Sequence, residues 1–102
     1  MTQDKPLHIS PEEAHAMCEA GAMLVDVRSQ PEVDGDGGLP NSVHIPIHQV
    51  PYQREQFEGK TVVMYCLSGI RSANAAQWLR ENGVEDAYNA GGIGQLWELL
   101  GS

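Results

Sequence analysis

Basic residues and long apolar runs are scarce in this sequence. It carries six lysines and arginines against fourteen aspartates and glutamates, a formal net charge of −8 over 102 residues. A field of this sign repels phosphate backbones and anionic lipid, so we expect neither nucleic acid nor a membrane as a partner. No window approaches the roughly 18 apolar residues of a membrane-spanning helix, and the start lacks the apolar run of a secretory signal. The sequence therefore predicts a cytoplasmic protein, and we expect a monomer.

Cysteine is equally scarce, with one residue at position 18 and one at position 66. Two cysteines 48 positions apart form neither a disulfide framework nor a redox CxxC pair nor a zinc-binding motif. We expect Cys18 to be an inert core thiol on the first helix, which leaves Cys66 as the candidate reactive thiol. Pro46 between His44 and His48 excludes the regular helix that an i, i+4 metal pair needs. The sequence thus indicates no metal site and no cofactor.

The length and the order of the predicted elements indicate one α/β domain over residues 1–102. Short apolar runs alternate with helical segments that end at glycines, an order typical of a parallel sheet with helices on both faces. The predicted strands and helices are, in turn, Met23–Val27, Val43–Ile45, Thr61–Tyr65 and Ala87–Asn89, and Pro11–Ala20, Ser72–Asn82 and Ile93–Leu100. Glycines, prolines and asparagine between Arg28 and Asn41 predict a long loop. Trp78 and Trp97 lie on apolar helix faces, where we expect both to anchor the core.

The connection between the strand at 61–65 and the next helix carries the residues with chemistry. Ligands collect at the carboxyl ends of parallel strands, and a tight loop that opens a helix directs backbone N–H groups at the same point. Cys66 at the base of this loop is therefore predicted to have a stabilised thiolate and a lowered pKa. Gly69 permits the sharp backbone path, and Arg71 supplies a forked donor for an oxyanion. Ser72 is the predicted capping residue of the helix.

Charge favours the same segment. Residues 59–80 contain no acid but carry Lys60, Arg71 and Arg80, so an otherwise acidic chain has one basic stretch. Any anion that binds this protein needs such a local positive site. The basic stretch therefore supports the loop at Cys66 as the place where a ligand binds.

Several motifs in a fixed order resemble those of a single-domain rhodanese. They are Leu24–Arg28 (LVDVR), Glu32, Gly38–Pro46 (GLPNSVHIP), Val62–Ser72 (VVMYCLSGIRS) and Tyr88–Ile93 (YNAGGI) with Trp97. The resemblance runs from about residue 9 to residue 100. It implies a rhodanese-like α/β fold, with a five-stranded parallel sheet and helices on both faces, and sulfurtransferase chemistry at the cysteine loop.

The same resemblance implies a role for each residue at the site. In rhodaneses the loop cysteine takes a sulfane sulfur from a donor such as thiosulfate, becomes a persulfide, and passes the outer sulfur to cyanide or a thiol. Cys66 matches this nucleophile, and Arg71 would hold the oxyanion of the donor. Asp26 and Arg28 match a charged pair that fixes the loops around the site. The backbone N–H groups that would bind the persulfide, with the Ser68 hydroxyl as a further donor, belong to Leu67, Ser68, Gly69, Ile70, Arg71 and Ser72.

Loop length separates a rhodanese from its chemical relatives. Related cysteine phosphatases and arsenate reductases place five residues between cysteine and arginine, a larger cradle that fits a tetrahedral anion. Here four residues separate Cys66 from Arg71, and Ser72 occupies the position where a phosphatase would need arginine. A second alternative is a non-catalytic binding module with the same fold, but such modules often lack the cysteine. The sequence favours a sulfurtransferase over both.

The segment before the second strand departs from the family pattern. Gly38 stands where the family commonly has histidine, a change that bears on loop order more than on catalysis. Residues 34–38 (DGDGG) are acidic, and near the pocket they would disfavour dianionic thiosulfate and favour a protein persulfide donor. The physiological donor and acceptor stay open, with thiosulfate, a small persulfide and a protein partner all compatible with the sequence.

Overall fold

The computed structural model describes residues 5–101. Residues 1–4, which begin the segment for which we expect no secretory signal, and residue 102 lie outside the described residues. The described residues form four strands and four α-helices. They are α1 (Pro11–Glu19), β1 (Met23–Asp26), α2 (Gln30–Asp36), β2 (Val43–His44), β3 (Val62–Cys66), α3 (Ile70–Glu81), β4 (Ala87–Gly92) and α4 (Ile93–Leu100), with 3-10 segments at Ile47–Gln49 and Pro51–Phe57. No helix in residues 5–101 has both the length and the apolar character to cross a membrane.

The strands form one parallel sheet in the order β2-β1-β3-β4. From β1 the chain adds β2 on one side of the sheet and then β3 and β4 on the other side. Open α/β sheets bind ligands in the crevice at such a change of side, and here the carboxyl ends of β1 and β3 flank it. The expected α/β fold is confirmed, but residues 5–101 contain four strands rather than five. At the place of a fifth strand, His8 makes a single parallel bridge with Asn89. Pro6 and Pro11 bound this extended segment and prevent a longer ladder.

Helices cover both faces of the sheet, as the sequence predicts. On one face α3 and the 3-10 segments pack against Val62, Met64 and Cys66. On the other face α1 and α4 pack against Val63 and Tyr65. All five residues of β3 are buried, which is what an uncharged β-branched run predicts for a central strand. This strand delivers Cys66 to the carboxyl end of the sheet.

The segment predicted as a long loop contains the seven-residue helix α2. Ser29 begins it with a capping box, in which the Ser29 N–H donates to the Glu32 carboxylate at 2.9 Å and the Ser29 hydroxyl accepts the Glu32 N–H at 3.4 Å. Pro31 lies in the first turn, where its fixed φ suits a helix. The loop prediction is wrong because these start signals outweigh Gly35, and the helix ends at Gly37 with φ of 74°.

The two tryptophans differ in burial. Trp78 is half-buried against the core on the α3 face, as expected. Trp97 is 41% exposed, so its predicted role as a core anchor is wrong. Ile93 and Leu96 form the buried side of α4, and the residue after Leu96 is rotated by about 100° around the helix axis, which turns it towards solvent.

Candidate active site

Cys66 ends β3 and is fully buried. Its Sγ accepts the backbone N–H of Gly69 at 3.0 Å, and the hydroxyl of Ser72 lies 3.4 Å away. Both groups belong to the turn from the loop into α3, so the sulfur faces the N-terminus of a twelve-residue helix. Partial positive charge from the helix dipole therefore acts on the sulfur.

Two glycines allow the loop to lie against β4. Gly69 adopts φ of 95°, in the left-handed region, and a Cβ there would stand 3.1 Å from the Cα of Gly91. A Cβ on Gly92 would stand 2.5 Å from the carbonyl oxygen of Leu67, closer than real side chains approach. The path of the loop therefore depends on the absence of side chains on both the loop and the strand.

The pKa of the Cys66 thiol is lowered from its ordinary value. Burial alone would raise this pKa, because a buried thiolate loses hydration. The hydroxyl of Ser72 and the backbone N–H groups of Ser72, Gly69 and Ser68 donate to the thiolate and outweigh the effect of burial. Cys18 lies on α1, half-buried against the core on that face of the sheet, and burial raises its pKa. Cys66 is thus the thiol with the greater fraction of nucleophilic thiolate at neutral pH.

Ser72 lies inside α3 rather than at its start. The sequence predicts Ser72 as the cap, but Gly69 holds the N-cap position without a side-chain bond, because its left-handed backbone ends the loop there. The buried Ser72 hydroxyl donates to Oδ1 of Asn89 at 2.6 Å. The amide orientation of Asn89 is fixed, since Nδ2 donates to the Gly69 carbonyl at 3.1 Å and Oδ1 accepts the Gly91 N–H at 3.0 Å. Sequence analysis missed Asn89, which only the pairing of β3 with β4 brings beside Ser72.

Arg71 forms a two-bond ion pair with Glu32. Nη1 donates to Oε1 at 2.7 Å and Nη2 donates to Oε2 at 2.9 Å. Arg71, followed by the Ser29 N–H, lowers the pKa of Glu32 to about 2. The pKa of Arg71 is raised first by Glu32 and further by the neighbouring Cys66 thiolate. The carboxylate of Glu32 therefore holds the guanidinium of the residue that ends the cysteine loop. The sequence marks Glu32 only as part of a family motif, with no sign of this partner.

The basic stretch of residues 59–80 is divided between the two ends of the sheet. Lys60 precedes β3 at the amino end, and Nε of Arg80 donates to the carbonyl of Ala87 where β4 begins. Arg71 alone of the three basic residues adjoins Cys66. The expectation that the stretch supports one positive site is wrong, because β3 and α3 run in opposite directions and carry their far ends away from the loop.

Asp26 and Arg28 form a buried pair at the end of β1, each with a side chain 1% exposed. Nε and Nη2 of Arg28 donate to the Asp26 carboxylate at 3.0 and 2.8 Å, and Nη2 also donates to the Gly37 carbonyl at 2.6 Å. Nε2 of His44 lies 2.7 Å from the Arg28 carbonyl. The pair thus ties β1 to the end of α2 and to β2, and its burial keeps it away from solvent.

Tyr65 fills the space beside Gly38. Its hydroxyl accepts the Leu39 N–H at 2.9 Å and donates to the Ser42 hydroxyl at 3.3 Å, and burial raises its pKa to about 12. A Cβ on Gly38 would lie 3.2 Å from Oδ2 of Asp26 and 3.3 Å from the Tyr65 hydroxyl. The tyrosine therefore orders the segment in which the family commonly has histidine.

The outer surface of the cysteine loop is largely apolar. Leu67 is 57% exposed and Ile70 is 69% exposed. The Ser68 hydroxyl, expected as a donor to the persulfide, lies 3.5 Å from the Ile70 N–H and accepts from it. Within residues 5–101, no three His, Cys, Asp or Glu side chains are grouped so that they could hold a metal ion.

A parallel sheet with a hydrogen-bonded cysteine between its central strand and the next helix defines a class of α/β protein, and the sequence comparison identifies its family. Residues 10–98 match the family described as "Rhodanese-like domain". The chain belongs to the rhodanese-like family.

Relatives within this family carry different names. "Thiosulfate sulfurtransferase GlpE" of Pseudomonas syringae pv. syringae (strain B728a) is 39% identical over 98 residues, which cover 95% of this chain and 90% of that protein. "tRNA uridine(34) hydroxylase" of Erwinia tasmaniensis is 35% identical over 99 residues, which cover 88% of this chain and 28% of that protein. The solved structure of a rhodanese-like domain protein from Staphylococcus aureus matches with a TM-score of 0.78 at 28% identity, covering 89% of this chain and 91% of that one.

Proposed function

We propose that this protein is a sulfurtransferase that carries sulfur on Cys66. The observation behind the proposal is a thiol of lowered pKa that is hydrogen-bonded at a helix start and followed, after four residues, by Arg71. A thiolate held by fixed donors is a good nucleophile at neutral pH. The relative named as a thiosulfate sulfurtransferase supports the same chemistry.

The first half-reaction loads Cys66 with sulfur. The thiolate attacks the sulfane sulfur of thiosulfate or of a persulfide donor. An S–S bond forms on Cys66, and the S–S bond of the donor breaks with its electron pair leaving on sulfite or on a thiolate. The negative charge of the resulting persulfide sits on its outer sulfur, where preorganised donors stabilise it. These donors are the backbone N–H groups of Leu67, Ser68, Gly69, Ile70, Arg71 and Ser72.

The second half-reaction unloads the sulfur. Cyanide or a thiolate attacks the outer sulfur, and the S–S bond breaks with its electron pair returning to Cys66. The products are thiocyanate or a new persulfide, together with the free Cys66 thiolate. Because every bond change is between sulfur and the two substrates, the cycle needs no cofactor.

The charged side chains support this cycle in two ways. Arg71 keeps a positive charge beside the sulfur while an anionic donor or persulfide is present. The buried pair of Asp26 and Arg28 holds the surrounding loops in place. We propose that the 102 residues act as one domain and that a protein sulfur donor or acceptor is among the partners.

Initial-rate kinetics of sulfur transfer from thiosulfate or a small persulfide to cyanide test the proposal. Double displacement predicts parallel lines in double-reciprocal plots, in which the rate is measured against one substrate at several fixed concentrations of the other. Cys66→Ser is expected to abolish transfer, and Cys18→Ser to retain it. Transfer that survives Cys66→Ser would contradict the proposal. Faster hydrolysis of an aryl phosphate than sulfur transfer would favour a phosphatase, and absence of turnover with every substrate would favour a binding module.

A further inference from the structure

Asn89 is a buried polar residue of β4 beside the cysteine loop, and it takes no direct part in the sulfur-transfer cycle. Its side-chain oxygen accepts two hydrogen bonds, from the Ser72 hydroxyl at 2.6 Å and from the Gly91 N–H at 3.0 Å. A backbone N–H can only donate, so this bond identifies the oxygen of the amide. The amide nitrogen therefore faces the Gly69 carbonyl, to which it donates at 3.1 Å.

The chain before α1 holds Asn89 in this orientation. Nδ2 of Asn89 lies 3.1 Å from Nδ1 of His8, so Nδ1 accepts the second amide hydrogen and the ring carries its own hydrogen on Nε2. The backbone N–H of Asn89 donates to the Leu7 carbonyl at 2.8 Å, and its carbonyl accepts the Ile9 N–H at 3.0 Å. Every polar atom of Asn89 is thus engaged, and the side chain cannot turn away from Ser72 without breaking several bonds.

The oxygen of Asn89 competes with the sulfur of Cys66 for one hydrogen. The Ser72 hydroxyl lies 2.6 Å from Oδ1 of Asn89 and 3.4 Å from Sγ of Cys66. Ser72 and Cys66 are fully buried, so bulk water supplies no other partner at this point. A neutral sulfur is a weak acceptor and leaves the hydrogen on the amide oxygen, whereas a charged sulfur attracts it.

We infer that Asn89 is a positioning residue for sulfur transfer, which holds the Ser72 hydrogen while Sγ of Cys66 is neutral and releases it to Sγ when the sulfur is charged. The inference rests on the proposed function. The hydrogen points to Sγ in the free thiolate and returns to Asn89 once the new S–S bond places the negative charge on the outer sulfur. It points to Sγ again when the electron pair comes back to Cys66. The O–H bond of Ser72 stays intact throughout, so no proton is transferred.

This exchange balances two opposite demands on Cys66. The sulfur is the nucleophile when the protein is loaded and the leaving group when it is unloaded. A thiolate that is stabilised more strongly leaves more readily but attacks more slowly. By competing for the hydrogen, Asn89 limits how far Ser72 stabilises the thiolate and so preserves its nucleophilicity.

The pH midpoint of Cys66 alkylation, measured in a Cys18→Ser background, tests the inference. Asn89→Leu removes the competing oxygen, so the midpoint should fall by about half a unit to one unit. In a Ser72→Ala background no hydrogen remains to be released, and Asn89→Leu should leave the midpoint unchanged. A midpoint that rises or stays constant in Asn89→Leu, or one that falls equally without the Ser72 hydroxyl, would overturn the inference.

The direction of the shift separates this role from a merely structural one. If Asn89 only supported the loop, its loss would misalign the donors around the sulfur and raise the midpoint. Asn82→Leu is the matched control, because the Asn82 side chain donates to the Trp78 carbonyl at the far end of α3. This variant should leave the midpoint unchanged, and a fall equal to that of Asn89→Leu would overturn the inference.

Single-turnover rates, followed by intact mass at a pH where Cys66 is fully ionised, give a second readout. Asn89→Leu should slow loading by roughly twofold and speed the release of sulfur to cyanide. A fall in both rates, or no change in either, would overturn the inference. Failure of every donor to load Cys66 while the midpoints shift as expected would contradict the proposed function and not the exchange of the hydrogen, so the two failures are distinct.

Asn89→Asp keeps the shape of the side chain and tests the same exchange if the leucine variant does not fold. A carboxylate holds the Ser72 hydrogen in a charge-assisted bond and does not release it to sulfur. Ser72→Ala should then raise the midpoint by much less than the roughly one unit expected when Asn89 is present. An equal rise in both backgrounds would overturn the inference.

Discussion

The hydroxyl of Ser72 has one hydrogen and two neighbouring acceptors, Oδ1 of Asn89 at 2.6 Å and Sγ of Cys66 at 3.4 Å. A neutral thiol accepts this hydrogen weakly, whereas a thiolate accepts it in a charge-assisted bond. Ionisation of Cys66 therefore favours the bond to sulfur. The hydroxyl stabilises the charged form more than the neutral form, which is how it lowers the pKa of Cys66.

Replacing this hydroxyl should raise the pKa of Cys66. In a Cys18→Ser background, which leaves one cysteine to report, Ser72→Ala should raise the pKa by roughly one unit, because a hydrogen bond to a charged group contributes about 1.5 kcal/mol or more. The alkylation rate follows the thiolate fraction, so its midpoint should move to higher pH. Ser68→Ala is the control, since the Ser68 hydroxyl bonds the Ile70 N–H instead of sulfur. An unchanged midpoint in Ser72→Ala would contradict the account.

The ion pair of Glu32 and Arg71 should give stability that depends on pH. The pKa of Glu32 is about 2 in the folded protein against an ordinary 4.5, so its contribution is complete above about pH 4.5 and is lost as pH falls towards 2. Glu32→Gln keeps the capping-box shape but removes the charge. We expect a loss of about 1 kcal/mol or less at neutral pH, because the pair is partly exposed. Urea unfolding of both proteins should show this difference shrink below pH 4.5. A difference independent of pH would refute the assignment.

At the scale of elements, local signals account for some predictions and tertiary pairing for the rest. β3 and α3 follow from an uncharged β-branched run and from a helix-forming segment that ends at Gly83, so both were predictable within a few residues. The helix α2 carries its start signal in Ser29 and Glu32, but its short length and internal Gly35 resemble a loop. The ion pair between Glu32 and Arg71 fixes the position of α2. These two residues are 39 positions apart in the sequence, so no local sequence pattern predicts the pair.

The caps of α1 and α2 form a matched pair for testing what α2 does. Ser10 and Ser29 each begin a helix with a capping box. Replacing either serine with alanine should cost about 1 kcal/mol of unfolding free energy. Ser29→Ala alone should also slow sulfur transfer, because α2 carries the partner of Arg71. Urea unfolding and the cyanide assay measure the two effects, and equal slowing in Ser10→Ala would contradict this role of α2.

The close contact between β4 and the cysteine loop should make sulfur transfer sensitive to a side chain at Gly92. Gly92→Ala would place a Cβ 2.5 Å from the Leu67 carbonyl and displace the loop. A shift of this kind at a catalytic group costs rate, and we expect sulfur transfer to fall by tenfold or more, up to about a hundredfold. Gly94→Ala, where a Cβ meets no atom within 4 Å, should retain transfer and stabilise α4 by up to about 1 kcal/mol. Full activity in Gly92→Ala would show that the loop path is less constrained than described.

For the whole molecule, the sequence predicts the fold class and the position of Cys66, but only part of the environment of that residue. The backbone donors follow from a strand, a glycine and a helix in succession. Asn89 and Glu32 reach the site from other elements, through the pairing of β4 and the packing of α2. The charge pattern shows the same limit: Lys60 and Arg71 are close in sequence, yet the length of β3 separates them in space.

The central claim is that Cys66 carries the transferred sulfur, and intact-mass spectrometry of the loaded protein tests it most directly. The wild type and Cys18→Ser should each gain one sulfur atom after exposure to a donor and lose it on addition of cyanide. Cys66→Ser should gain none. A gain that persists in Cys66→Ser, or the absence of any gain in the wild type with thiosulfate and with a hydropersulfide, would contradict the account.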